Sequence, residues 1–305
     1  MDPEWDPTQF FHPPRPPLPF VILVLNQPIN ERAFTAISDF ASCVVCADGG
    51  ANRYYDLMKD RAQEDTNLPS AIIGDLDSIL PHVRQHYEER GVPILHDPDQ
   101  DSTDFTKCLN YLRSNASRIV PATVAEPTPQ AGNGGGGCHV LILGGLGGRV
   151  DQAFSQIHHL YTTATDVSWS MGDLYLISEE SISFVLRQGP NTIHTPGVNR
   201  PNCTTKLGMS STMHSPYSDN SDSHPFVGAE TLYLEENIGI IPISGPAHIT
   251  THGLEWDVTN WRTEMGGQIS TSNHIRADKV QVYSDRPVLF TMELAARFKV
   301  GVKQR

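Results

Sequence analysis

The chain has 305 residues, 38% hydrophobic and 19% charged, with a formal net charge of −13. That length allows two domains with separate cores. The acidic balance and the lack of a basic run argue against a nucleic-acid partner. The longest early apolar run, Phe20–Leu25, is too short to span a bilayer, and the segment before it is acidic and proline-rich, unlike a secretory leader. Five cysteines, an odd number, suit a reducing compartment, so a cytoplasmic protein is expected.

Residues 1–19 carry seven prolines and read as a disordered or loosely draped tail. From Phe20 onward, strand-like runs at 20–25, 43–47, 71–73, 93–95, 139–143 and 174–177 alternate with helix-like segments. Phe105, Cys108, Leu109 and Leu112 follow the i, i+3, i+4, i+7 period of an amphipathic helix, with Ser102 or Thr103 as its N-cap. Val150, Phe154, Ile157 and Tyr161 give the same period in the next. Such alternation implies right-handed crossovers and a largely parallel sheet over 20–180. After residue 180 the pattern changes: 181–187 and 231–235 alternate with period two and 280–294 is strand-like with a Pro break, so 181–305 reads as an all-β sandwich or roll. The expected fold is a Rossmann-like, mostly parallel α/β domain followed by a β-sandwich. Segments 122–137 and 198–228, rich in Gly or in Ser, Asn, Asp and Pro, read as insertions.

In a parallel sheet, ligands bind beyond the carboxyl ends of the strands. The polar clusters of this half fall there. Asp48-Gly-Gly-Ala-Asn-Arg53 follows the second run, Gly74-Asp-Leu-Asp-Ser78 the third, Asp97-Pro-Asp-Gln-Asp-Ser-Thr-Asp104 the fourth, and Gly144-Gly-Leu-Gly-Gly-Arg-Val-Asp-Gln152 the fifth. The six aspartates of the two clusters from Asp75 to Asp104 repel one another, and a hard divalent cation with oxygen ligands relieves that repulsion. Any one of these aspartates alone is an ordinary cap or turn residue. Gly144–Gly148 resembles a phosphate-cradling turn at a helix start, with Arg149 and Asp151 directly behind it. Asp48 reads equally well as a helix cap or a site acid. Cys43 and Cys46 point to opposite faces of a strand, which disfavours a redox pair. In the β half, Trp256 reads first as a core residue and Ser272-Asn273 as a turn. An aromatic beside an amide also suits recognition of a flat heterocycle.

These motifs, with Leu25-Asn-Gln-Pro28, Gly253-Leu-Glu-Trp256 and Ser270-Thr-Ser-Asn273, resemble those of the thiamine pyrophosphokinase family, in order from about Val21 to Leu294. The tail and insertions resemble those of fungal members. The resemblance implies a homodimer with its active site at the subunit interface, transferring diphosphate from ATP to the hydroxyethyl group of thiamine and releasing AMP. By motif, Asp75, Asp77 and Asp104 would hold Mg²⁺ and the triphosphate, with Gln100 and Thr103 at the reacting end and Arg149 on phosphate. Asp48, Gly49, Gly50, Asn52, Arg53, Gly145, Gly147, Gly148, Asp151 and Gln152 would form the ATP side. Trp256, Ser272 and Asn273 would contact thiamine. The competing readings are another Mg²⁺-dependent nucleotide hydrolase, which would not require Trp256 and Asn273, and a non-catalytic thiamine or nucleotide sensor.

Overall fold

The computed structural model describes residues 2–11, 16, 18–119, 137–200 and 232–299. Residues 122–136 and 201–228 of the two expected insertions lie outside the described residues. In chain order the elements are β1 (Glu4–Trp5), β2 (Phe20–Val24), α1 (Glu31–Ile37), β3 (Val44–Ala47), α2 (Gly50–Asp60), β4 (Ala71–Gly74), α3 (Pro81–Glu89) and β5 (Ile94–His96). Then come α4 (Asp104–Ser114), α5 (Ala116–Ile119), β6 (His139–Leu143), α6 (Val150–Thr165), β7 (Leu174–Ile177), β8 (Ser181–Leu186), β9 (Gly189–His194) and β10 (Val198–Asn199). The remainder is strand: β11 (Leu234–Ile241), β12 (Ala247–His252), β13 (Trp261–Thr263), β14 (Ser270–His274), β15 (Lys279–Ser284) and β16 (Val288–Leu294).

The fold is mixed α/β with two sheets. An eleven-stranded sheet runs β10-β11-β16-β8-β7-β6-β2-β3-β4-β5, with β14 also paired to β11. A five-stranded sheet runs β1-β9-β15-β12-β13. From β5 to β7 the neighbours in the large sheet are parallel, and β7, β8, β16 and β11 continue it antiparallel. The expected boundary near residue 180 falls between β7 and β8, so the sheet passes through it.

Continuous aliphatic runs such as Phe20–Val24 are buried on both faces, as central parallel strands require. Ile22, Val24, Cys46 and Ile72 face Phe34, Tyr54, Met58 and Tyr87 of α1, α2 and α3. The alternate residues Val21, Leu23, Val45 and Ile73 face Phe105, Leu109 and Leu112 of α4 and Leu160 of α6. Further along, Phe184, Phe290 and Ile238 of the large sheet share one apolar cluster with Ile193, Val280, Val282 and Ile249 of the small one.

Two expectations need correction. The first is the loose tail. Glu4–Trp5 pairs in parallel with β9, and the Trp5 ring stacks on Phe184 at 4.9 Å while its Nε1 donates to Asn191 Oδ1 at 3.1 Å. Phe10 packs on Phe20 and Tyr175 at 5.3 and 4.9 Å, and Phe11 on Phe298 at 4.7 Å. The prolines dominate the composition, but each large aromatic buries enough apolar surface to hold an otherwise extended segment in place. The second is the apolar face of α6. Val150 and Phe154 are exposed, and burial begins at Gln156, Leu160 and Tyr161. A sixteen-residue helix of about 24 Å is longer than the five-residue β6 and four-residue β7, so its first turns overhang the sheet.

Candidate functional site

β2, β3, β4, β5 and β6 are parallel, so the segments leaving them meet along one edge of the sheet. Asp48, directly after β3, has a left-handed φ of 37° and is 1% exposed. Its two oxygens accept the amides of Ser78 at 3.0 Å and Ile79 at 2.9 Å. Asp75 follows β4, and its own amide donates to Asp104 Oδ1 at 3.3 Å. Asp104 opens α4, where the Thr103 side chain caps the helix by accepting the Thr106 amide. Carboxylate oxygens of Asp48, Asp75 and Asp104 all lie within 4.8 Å of one another. Gly74 makes this crowding possible, since a Cβ there would sit 2.6 Å from Asp48 Cβ and 2.9 Å from Asp104 Oδ1.

The three acids are electrostatically distinct. Burial pushes the Asp48 carboxyl up to about 6, the charges of Asp104 and Asp75 add to that, and the two amides oppose it. Burial, then Asp75, also raises Asp104, against the pull of Lys107. The amide of Asp77, donating at 3.2 Å, is the main cause that holds Asp75 below the ordinary carboxylate range, with a further bond from Gln100. Lys107, one helical turn into α4, is buried and places Nζ 3.3 Å from Asp104 Oδ1. One cation beside three carboxylates leaves an excess of negative charge. An all-oxygen donor set of this kind fits a hard divalent ion such as Mg²⁺.

Asp77 is not part of that cluster. Its side chain is exposed and accepts the Ser78 hydroxyl at 2.7 Å, and Asp48 takes the third corner in its place. Asn52 clamps the same loop, donating to Ser78 O and accepting from Leu80 N, both at 2.9 Å. Arg53 Nε donates to Asn26 Oδ1 at 3.3 Å. Gly49 and Gly50 are close-approach positions, where a Cβ would meet Asn26 Nδ2 and Val24 O, each at 2.3 Å.

The glycine turn after β6 packs on the loop after β2. Gly144, Gly147 and Gly148 have positive φ, and Gly148 abuts the Gln27 side chain. Gly145 lies against Leu25 and Leu176. Arg149 precedes α6 and is exposed, forming a two-point ion pair with Asp151 at 2.6 and 3.1 Å. Gln152 is exposed beside it. Gln27 therefore ties the glycine turn to β2, and Asn26 ties β2 to Gly49 and Arg53. Both belong to the Leu25–Pro28 motif that resembles the family's.

At the other end of the large sheet, Trp256 is 55% exposed. Asn273 is buried and grips the Trp256 backbone from both sides, accepting its amide at 3.2 Å and donating to its carbonyl at 3.0 Å. Ser272 is exposed, with φ 56°. Trp256 is thus a surface aromatic and not a core one, and Ser272-Asn273 lies within β14 and not in a turn.

Two family models match the chain. "Thiamin pyrophosphokinase, catalytic domain" covers residues 34–171, and "Thiamin pyrophosphokinase, vitamin B1 binding domain" covers 229–289. A thiamine pyrophosphokinase of Oryza sativa subsp. japonica is 31% identical over 286 residues, covering 90% of this chain and 87% of that protein. The chain belongs to the thiamine pyrophosphokinase family. The thiamine pyrophosphokinase of Saccharomyces cerevisiae is 30% identical over 285 residues, covering 84% of this chain and 79% of its own. The crystal structure of yeast thiamin pyrophosphokinase superposes with a TM-score of 0.74 at 25% identity, covering 96% and 92% of the two chains. That of Candida albicans gives 0.71 at 24%, which speaks to the fold. The catalytic-domain match contains the carboxylate cluster, Lys107 and the glycine turn. The vitamin B1 match contains Trp256, Ser272 and Asn273. The motifs alone give Lys107 and His159 no part in the site. The signal for Lys107 was its i+3 spacing from Asp104. His159 Nε2, 3.0 Å from the Thr103 hydroxyl, is joined to it by tertiary packing alone. Among the described residues no helix is long and apolar enough to cross a membrane.

Proposed function

We propose that this thiamine pyrophosphokinase carries out diphosphate transfer at the Asp48–Asp75–Asp104 edge. The chain is an enzyme that transfers diphosphate from ATP to thiamine. The observation that carries the assignment of the site is the convergence of three carboxylates with the glycine turn at one edge of a parallel sheet. The order β4-β3-β2-β6-β7 reverses direction at β2, and this Rossmann-like switch point opens the crevice where such sheets bind nucleotides. Asp48, Asp75 and Asp104 would hold Mg²⁺, which when bound neutralises the charge that develops on the transferred phosphates.

The chain's own groups do the rest. Amides of the Gly144–Gly148 turn and the start of α6 receive phosphate oxygens. Arg149 exchanges its Asp151 partner for phosphate, keeping the same planar fork. Lys107 offsets the charge of Asp104 from within α4. Gln100 and Thr103 border the position where the thiamine hydroxyl attacks the β-phosphorus, and Asp77 stands outside the cluster as a carboxylate available to solvent-side phosphate–metal contacts. Trp256 offers its exposed face to thiamine, with Ser272 beside it and Asn273 fixing the loop.

We further propose that the site is shared between two chains. β14, which carries Asn273, lies seven strand positions from β3 in the large sheet. At about 4.8 Å per strand that is roughly 33 Å, too far for one thiamine molecule to bridge. A homodimer in which the β-sandwich half of one protomer faces the carboxylate edge of its partner brings the two together. The deciding experiment is incubation with ATP, Mg²⁺ and thiamine, with chromatography for AMP and thiamine diphosphate. Formation of ADP, or of AMP without thiamine diphosphate, would overturn the assignment.

A further inference from the structure

β14 does not run straight. Asn273 pairs with Ile238 and Ser270 with Ile240, so three steps on β14 oppose two on β11. The extra residue is a β-bulge, and Ser272 takes the left-handed φ that such a bulge needs. Beyond the bulge Asn273 turns inward, and the next side chain, His274, comes to lie against the Trp256 indole. The ring centroids are 5.0 Å apart, with an interplanar angle of 44°.

The imidazole is held at Nδ1 by charge. His274 Nδ1 is 2.8 Å from Glu255 Oε2 and 3.9 Å from Glu236 Oε1. Arg276 lies 3.1 Å from the same nitrogen and bridges Glu236 on β11 to Glu255 beside Trp256. The Glu255 amide also donates to the His274 carbonyl at 2.8 Å. An exposed tryptophan on a loop would ordinarily sample several rotamers and lose that freedom on binding a ligand. Here one face of the indole rests on a ring whose own position is fixed by three charged neighbours.

We propose that His274 is a positioning residue for thiamine: locked by Glu255, Arg276 and Glu236, it backs the Trp256 indole and pre-sets the face that receives the substrate. This rests on the reading of Trp256 as the thiamine platform. A supporting ring contact of this kind corresponds to a change of about three- to tenfold in affinity.

The test compares His274→Ala, His274→Phe and Trp256→Ala by steady-state kinetics and by thiamine-dependent tryptophan fluorescence. His274→Ala raises the KM for thiamine about three- to tenfold, with kcat and the KM for ATP within twofold, and shifts the fluorescence titration to higher thiamine without abolishing it. His274→Phe restores the ring and returns the thiamine KM towards the parent value. Trp256→Ala abolishes the fluorescence change. An unchanged thiamine KM in His274→Ala overturns the proposal, as does an equal change in all three kinetic constants. If His274→Ala does not fold, His274→Phe decides: a thiamine KM raised as much as in Trp256→Ala rules out ring backing, and a near-parent value supports it. If Trp256→Ala itself leaves the thiamine KM alone, the platform reading fails first. If only His274→Ala is silent, the platform stands and this inference falls.

Discussion

The carboxylate edge and the Trp256 face are held by opposite means. At the edge, backbone does the fixing: the amides of Ser78 and Ile79 seat Asp48, the Asp77 amide seats Asp75, and sheet geometry forces the acids together. At the Trp256 face, side chains do it, through Asn273, His274, Glu255 and Arg276. Backbone placement tolerates like charges at close range because the strands cannot move apart, so the edge stores repulsion that a cation can relieve. At the aromatic face the two glutamates are bridged by Arg276, so their charges hold the rings in place. Changes at the edge should therefore act on turnover, and changes at the face on substrate affinity.

The largest effect tests the edge. Asp75→Asn or Asp104→Asn should lower kcat by about 10²-fold or more, the scale of losing one transition-state charge contact. Melting temperature should stay level or rise in Asp104→Asn, whose charge burial and Asp75 disfavour, and fall slightly in Asp75→Asn, whose charge the Asp77 amide favours. Near-normal turnover in both variants would remove the edge from the chemistry. A second large effect belongs to stability alone: Trp5→Ala or Phe10→Ala removes a buried ring and should cost about 3–5 kcal/mol, read by denaturant titration. A cost under 1 kcal/mol in both would return the N-terminal segment to a loose tail.

The difference between the regions also explains what could be read from the chain alone. The parallel half was legible because apolar runs and helical periods are local, and strand-end acids fall on one edge by topology. The burial of Trp5, Phe10 and Phe11 was not, since the partners of Trp5 and Phe11, Phe184 and Phe298, lie far along the chain. From sequence Asp48 is balanced between cap and acid, because the amides that seat its carboxylate, Ser78 and Ile79, are a loop away. Spacing alone does not separate Asp75 from Asp77 on one turn, so the sequence offers Asp77 where the fold clusters Asp48 with Asp75 and Asp104. The glycine turn was read for phosphate, and its packing on Gln27 needed the fold. Trp256 reads as core by residue type, and its exposed place comes from a loop whose backbone Asn273, on another strand, holds.

Smaller effects sharpen the contrast. Trp256→Ala should raise the KM for thiamine about ten- to a hundredfold while the KM for ATP barely moves. Because the indole is more than half exposed, the melting temperature should change little. A large fall in melting temperature with an unchanged thiamine KM would make it a packing residue after all. Mixing Asp75→Asn chains with Trp256→Ala chains then asks whether edge and face come from different protomers. After random exchange half the dimers are mixed and one of their two sites is intact, so about a quarter of the parent activity should return. No recovery, with exchange demonstrated by mass, would place both regions in one chain.

The smallest expected effect is a pH slope, and it has opposite signs at two places beside the same edge. His159 supports Thr103, the cap of the helix that carries Asp104. Burial, with His158 adding, lowers its imidazole to about 4. Its ordinary value is about 6.5, so its contribution is complete above that pH and is lost as the pH falls towards 4. Asp48 is raised to about 6, so its contribution is complete below the ordinary carboxylate range and is lost as the pH rises through 6. The two slopes oppose each other between pH 4 and 6.5, and a single melt cannot separate them. His159→Gln removes one and leaves Asp48, and the lowered His139, in both proteins. The difference in melting temperature between parent and variant, measured without metal, should therefore shrink in favour of the variant from pH 7 to 4.5, by on the order of 2 °C. Parallel curves would mean that the imidazole is not held neutral, and that Thr103 is fixed by its bond to Thr106 alone.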